Sequence, residues 1–124
     1  MQAVRLFTNV DGEAAFEDFE LALNVSGAES LISFDASDAI EFAETAVGHD
    51  FGWHNAPQKQ WVVTLQGAIE VELENGERRV FSASSLLLAE NTEGQGHTTK
   101  VVGTVPWQCI YIPVAKDSKL FMSN

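Results

Sequence analysis

The sequence predicts an all-β domain whose short strands form a sandwich or a barrel. The clearest evidence is residues 68–74, in which apolar and acidic side chains alternate strictly, as in a strand with one buried and one solvated face. Asn75 and Gly76 follow directly, and this pair is typical of a tight hairpin because both residues tolerate a positive φ. Turn residues also recur at near-regular intervals between further short apolar runs, which is typical of this fold class.

The elements of the first half are less regular. Residues 16–23 mix acidic and apolar side chains in a way that suits a strand or a helix. Residues 39–47 are predicted to form a strand, although their alanine and glutamate content would also suit a helix. We expect one domain over residues 1–124, with its conserved barrel core at about residues 38–115. The segment 1–37 would then add strands or cover one mouth of the barrel.

The second half predicts a series of strands separated by turns. Arg78 and Arg79 lie in the strand that returns from the hairpin, where they could face Glu70 and Glu72 across it. A polar, glycine-punctuated loop is predicted at residues 90–97. The predicted strands of this half cover residues 61–65, 68–74, 78–81, 86–89, 100–102 and 107–114.

Composition restricts the classes of function. The chain carries 7 Lys and Arg against 18 Asp and Glu, a formal charge of -11, and such a surface repels nucleic-acid backbones and anionic lipid. We therefore expect no nucleic acid and no membrane among the partners. Cys109 is the only cysteine, which excludes a disulfide framework and a thiolate metal cluster. No signal peptide or membrane span is recognisable, so the reduced cytoplasm is the expected compartment.

The segment 52–67 resembles the first conserved motif of the cupin superfamily. That motif runs from a glycine through a His-x-His pair and a glutamate to a closing glycine. Here Gln60 stands at the glutamate position, with six residues between it and Gly67. A weakened second motif begins at Gly76 and ends at His97, where a cupin places its last histidine. The chain is similar to small, single-domain cupins.

This resemblance implies an antiparallel jelly-roll barrel with the site in its interior. In the family, three histidines and the glutamate bind a divalent transition metal. The ligands implied here are His54, Gln60 and His97, a degenerate set that would hold Fe, Mn, Ni or Zn, or no metal at all. Gln60 offers an amide oxygen but no negative charge to offset the metal.

The histidine pair of the family is not intact in this chain. By spacing from Gln60, its two positions fall on Trp53 and Asn55, and a change of one residue in loop length would bring His54 to the ligand position. Asp50, Glu90 or a water molecule could supply a further donor. His49 precedes the motif and is predicted to be an exposed turn residue.

The cupin resemblance also implies a pocket inside the barrel. Strand parity from Gln60 directs Val62 and Thr64 to the same face. With His97 they would give apolar walls and a few directed polar groups, the usual composition of a small-molecule site. Trp53 is added as a pocket residue because it neighbours His54 in a predicted loop.

Three functions fit these residues. The first is a small-molecule-binding cupin of undetermined ligand with a degenerate metal site. The second is a divalent-metal-dependent enzyme of the dioxygenase, isomerase or lyase type that uses His54, Gln60 and His97, and no catalytic residue is assigned beyond this set. The third is an interaction module. We expect a homodimer, with the strand at 107–114 as a sheet edge that a second copy would cover.

Overall fold

The computed structural model describes residues 1–116, which are all β-strand and connecting loops. Residues 117–124 of the predicted domain lie outside this description. No helix in the described part is long and apolar enough to cross a membrane. The strands of residues 1–116 are β1 (Gln2–Thr8), β2 (Ala14–Glu20), β3 (Asn24–Ser26), β4 (Glu29–Leu31), β5 (Glu41–Thr45), β6 (Asp50–His54), β7 (Gln60–Gln66), β8 (Ala68–Leu73), β9 (Arg78–Ser82), β10 (Leu86–Ala89), β11 (His97–Val102) and β12 (Trp107–Pro113).

These strands form two large sheets and one small hairpin. The six-stranded sheet has the order β2-β1-β10-β7-β12-β5, the four-stranded sheet has the order β6-β11-β8-β9, and β3 pairs with β4. Pairing is antiparallel throughout except between β1 and β10, which run parallel. The all-β fold class is therefore confirmed. Within residues 1–116 no strand pairing joins the two large sheets, so a closed jelly-roll barrel is not confirmed.

The predicted hairpin is present as β8 and β9. Ile69, Val71 and Leu73 are buried, while the acidic residues between them are half-exposed, as the alternation predicted. Gly76 closes the turn with φ 90°, a conformation that side chains rarely adopt. Arg78 lies opposite Glu72 as expected, with 3.4 Å between the charged groups.

The expectation for Arg79 was wrong. It lies opposite Val71 rather than Glu70, because neighbouring residues of a strand point to opposite faces. Its guanidinium instead pairs with the Asp18 carboxylate of β2 at 2.8 Å. This pair links the edge strands of the two large sheets.

The first half of the chain forms strands at both places where a helix was an alternative. Residues 16–23 contribute most of β2, and residues 39–47 contain β5. β1 is an interior strand between β2 and β10, so the segment 1–37 contributes two strands, β1 and β2, to the six-stranded sheet. Leu6 of β1 is completely buried. Phe34 lies beside Trp61, with 6.5 Å between ring centroids, so the end of this segment covers the outer face of the six-stranded sheet.

Two clusters of buried apolar side chains pack against the two faces of the six-stranded sheet. One lies between the sheets and takes side chains from both, among them Leu6, Val71 and Trp107. The other lies on the opposite face of the six-stranded sheet and includes Trp61 and Leu88. Alternation along β7 and β10 explains the division, since successive residues of each strand enter different clusters.

The structure corrects the expected sheet edge. β12 pairs with β7 on one side and with β5 on the other, so it is an interior strand and not an edge. The edge beside it is β5, where Phe42 is 78% exposed. Glu41–Thr45 therefore forms this edge of the six-stranded sheet.

Candidate functional site

A cavity of about 570 Å³ lies between the two large sheets. Its walls are mainly apolar, and both sheets contribute to them. The polar groups on its surface include side chains from β6, β7 and β11. The main apolar lining residues are Leu6, Val62, Ile69, Val71, Leu87 and Trp107.

Two histidines face each other at the wall of this cavity. His54 ends β6 and His97 begins β11, and the antiparallel register places them directly opposite each other. Their ring centroids are 4.5 Å apart. Gly96 makes this approach possible, because a Cβ on it would lie 2.7 Å from the carbonyl oxygen of His54. Its φ of 79° is also one that favours glycine.

A local hydrogen bond fixes the orientation of the His54 ring. Its Nδ1 lies 2.8 Å from the carbonyl oxygen of Gly52. A carbonyl only accepts, so Nδ1–H donates and, in the neutral ring, Nε2 keeps its lone pair. The Gly52 N–H donates in turn to the Asp50 carboxylate at 2.8 Å, which fixes the turn of chain that carries the carbonyl.

His97 is held by a buried asparagine. The side-chain nitrogen of Asn91 donates to Nδ1 of His97 at 2.6 Å, and Asn91 is completely buried. Burial of the imidazole, together with the neighbouring His54, lowers the pKa of His97 to about 4. His97 is therefore neutral near pH 7.

Gln60 and Thr99 add polar groups that have no partner in the fold. Gln60 of β7 is 8% exposed and Thr99 of β11 is 7% exposed, and both line the cavity. Neither side chain makes a hydrogen bond to another group of residues 1–116. Neither residue has a polar atom among the fully buried ones without a partner, so both side chains are available to hydrogen-bond with water or a bound molecule in the cavity.

The donor set does not fit a tightly held divalent metal. In the described part of the chain, no group of three or more His, Cys, Asp or Glu residues is placed to hold an ion. Protein sites for zinc and iron normally supply at least three good ligands, often including a carboxylate. Here the donors are two imidazoles and one neutral amide.

The two carboxylates considered as further donors are engaged elsewhere. Glu90 lies 2.7 Å from the Arg5 guanidinium and 3.2 Å from the Lys59 ammonium. Asp50 accepts from the Gly52 N–H and from the Thr98 hydroxyl. Neither of them lines the cavity.

The other residues predicted from sequence are distributed around the site. Val62 lines the cavity. Thr64 is buried beneath it and accepts a hydrogen bond from the indole N–H of Trp107 at 3.0 Å. Trp53 lies on β6 rather than in a loop, is 51% exposed and donates from its indole N–H to the Gln95 carbonyl. It is not a lining residue because it alternates with His54 along the strand.

Sequence reasoning missed Thr99 as a cavity residue. It lies two positions after His97, so strand parity would have found it if His97 had been assigned to a strand. The polar residues that precede His97 instead predicted a loop through this position. His49 is exposed, as expected, and its ring meets the edge of Phe51.

Comparison with known proteins adds little to this geometry. No protein-family model matches the chain, and no curated protein matches it significantly. Among solved structures, it is similar to the conserved SPY1581 protein of unknown function from Streptococcus pyogenes. The match has 14% identity and a TM-score of 0.42, and it covers 74% of this chain and 93% of that one. At this similarity it carries no argument about family or activity.

Proposed function

We propose that the chain is a small-molecule-binding protein of the cupin type, with its binding site in the cavity between the two sheets. The cavity carries the proposal. Its volume of about 570 Å³ falls in the range of roughly 300–1,000 Å³ that is usual for small-molecule sites. Its apolar walls and few directed polar groups are also the usual composition of such sites.

The cupin part of the proposal rests on the placement of the motif residues. His54 and Gln60 come from the segment that resembles the first motif, and His97 ends the segment that resembles the second. All three line the same cavity.

A thermal-shift screen of small metabolites, in buffer containing a chelator, tests the proposal. A ligand that binds the folded state raises the melting temperature, by an amount that grows with its concentration. Ala89→Leu should abolish the shift, because Ala89 lines the cavity and a larger side chain would occupy part of it. Ala15→Leu, at a half-buried alanine outside the cavity, should leave it unchanged. The proposal is refuted if no compound shifts the wild type, or if both variants respond as the wild type does.

A divalent-metal-dependent enzyme is the second candidate. The facing pair of His54 and His97 favours it, because imidazole nitrogens suit Fe, Mn, Ni and Zn. The missing third strong ligand weighs against it, and we assign no reaction to the site.

Assembly and compartment remain part of the proposal. A second copy would cover the free β5 edge, where Phe42 is exposed. The single cysteine, Cys109, is buried and unpaired, which suits a reducing cytoplasm.

A further inference from the structure

We infer that the cavity selects aromatic molecules that carry a hydroxyl group and no negative charge. This inference rests on the proposed function, since it names the ligand class of the same cavity. Three features of the lining carry it: the absence of cationic side chains, the arrangement of aromatic rings, and the polar groups left without partners.

The lining offers no counter-charge to an anion. Among the described residues that line the cavity there is no Lys or Arg, and Glu41 is the one Asp or Glu. Lys59, which precedes Gln60, points away from the cavity and pairs with Glu90. A carboxylate or phosphate buried here would lose its hydration without gaining an ion pair, which is strongly unfavourable.

Aromatic rings form one side of the cavity. Trp107 packs edge to face against Phe51 and against Tyr111, each with 6.2 Å between ring centroids and an angle of 85° between the planes. All three residues line the cavity. The indole N–H of Trp107 is already donated to Thr64, so Trp107 presents ring surface to a ligand. Ring surfaces in this arrangement favour another aromatic ring through edge-to-face and offset contacts.

The polar groups match a hydroxyl better than a carbonyl. His54 accepts through Nε2, because its Nδ1–H is used by the Gly52 carbonyl. The Gln60 amide can both donate and accept, and the Thr99 hydroxyl can do the same. A ligand hydroxyl can donate to His54 while it accepts from one of the other two groups. A ligand carbonyl only accepts, so it cannot donate to the His54 lone pair.

A titration with three matched probes tests this inference. The probes share one ring system: 2-naphthol, its isosteric hydrocarbon 2-methylnaphthalene and the anion 2-naphthoate. Binding is followed by protein-detected NMR at about pH 7.5 with chelator present, using the indole N–H signals as reporters. We expect 2-naphthol to bind at least roughly tenfold more tightly than either of the other two, because 2-methylnaphthalene lacks the hydrogen bonds and 2-naphthoate buries an unpaired charge.

Two variants test which side chains hydrogen-bond to the ligand hydroxyl. Gln60→Leu and Thr99→Val keep similar side-chain volumes, and each should reduce the preference for 2-naphthol over 2-methylnaphthalene while leaving the binding of 2-methylnaphthalene unchanged. Gln108→Leu is the matched control for Gln60→Leu. Gln108 lies in the same six-stranded sheet as Gln60 but outside the cavity, and its side chain donates a hydrogen bond to Glu44. It should keep the wild-type preference. Circular dichroism verifies that each variant is folded.

The outcomes separate this inference from the function on which it rests. If 2-naphthoate binds as tightly as 2-naphthol, or if the preference survives in both Gln60→Leu and Thr99→Val, the ligand class is wrong while the cavity remains a binding site. If the naphthalene probes fail but another compound from the thermal-shift screen binds in the cavity, the aromatic part is overturned. If nothing binds in the cavity, the proposed function fails and the inference fails with it.

Discussion

Acidification should destabilise the fold through His97. This imidazole is 5% exposed, lies against His54 and receives a hydrogen bond from Asn91. Its pKa is about 4 in the folded protein, against an ordinary value of 6.5. Between these values the unfolded chain binds a proton at His97 that the folded chain does not. The free energy of unfolding therefore falls as the pH falls through this window.

The size of the effect follows from the two pKa values of His97. Above pH 6.5 the His97 ring is neutral in both the folded and the unfolded chain, and the free energy of unfolding has its full value. The part that depends on the neutral ring is lost as the pH falls to about 4. One pKa unit corresponds to about 1.4 kcal/mol, so the complete loss is roughly 3 kcal/mol. At about pH 5 most of the window has been crossed, and the loss should be about 2 kcal/mol relative to about pH 7.5.

Urea unfolding of the wild type and of His97→Gln, at these two pH values and with chelator present, measures this contribution. Glutamine can still hydrogen-bond to Asn91 but does not titrate. The wild type should lose about 2 kcal/mol more than the variant between the two pH values, since the other titrating groups are common to both proteins. Equal losses in the two proteins, or an NMR titration of the His97 ring with a midpoint near its ordinary value, would show that His97 does not cause this pH dependence.

Three further substitutions have expected effects on the free energy of unfolding, each measured by urea denaturation. Leu88→Ala should lower it by roughly 2–5 kcal/mol, because Leu88 is completely buried in the outer cluster, and ligand binding in the cavity should be unchanged. Gly96→Ala should lower it by at least about 1–2 kcal/mol, since the new Cβ meets the His54 carbonyl and the backbone has a positive φ; a stability equal to wild type would contradict this. Trp107→Phe should lower it by roughly 1–3 kcal/mol because it leaves the buried Thr64 hydroxyl without its donor, and Trp107→Phe combined with Thr64→Val should recover part of the loss.

Local patterns predicted the strands whose signals are complete within a few residues. The alternation in residues 68–74 and the turn at Asn75 and Gly76 contain all the information needed for β8 and β9. The apolar run at residues 86–89 coincides with β10. In each case burial of one face and turn geometry act over a short stretch of chain.

Long-range pairing was not predictable in the same way. The parallel pairing of β1 with β10 joins Val4 to Leu87, and nothing in either segment specifies the other. The position of β12 inside the sheet depends on β5 pairing with its outer side, which the sequence of residues 107–114 does not reveal. Such choices are made by the packing of the whole core and not by local propensity.

The sequence likewise predicted some residues of the candidate site and not others. Sequence motifs selected His54, Gln60 and His97, which line one cavity in the structure. Trp53 was misplaced because its segment was expected to be a loop, whereas in a strand the residue before His54 faces outward. Thr99 was missed because His97 was also assigned to a loop. In the strand that His97 begins, Thr99 lies two residues further on and faces the same side.

We propose that the cavity binds a small molecule without a tightly held metal. The most direct test is elemental analysis of protein purified without a histidine tag or added metal, combined with a titration of the best screened ligand before and after chelation. We expect well under one metal ion per chain and an affinity for the ligand that chelation does not change. One metal ion per chain, lost in both His54→Ala and His97→Ala and accompanied by loss of ligand binding on chelation, would contradict it.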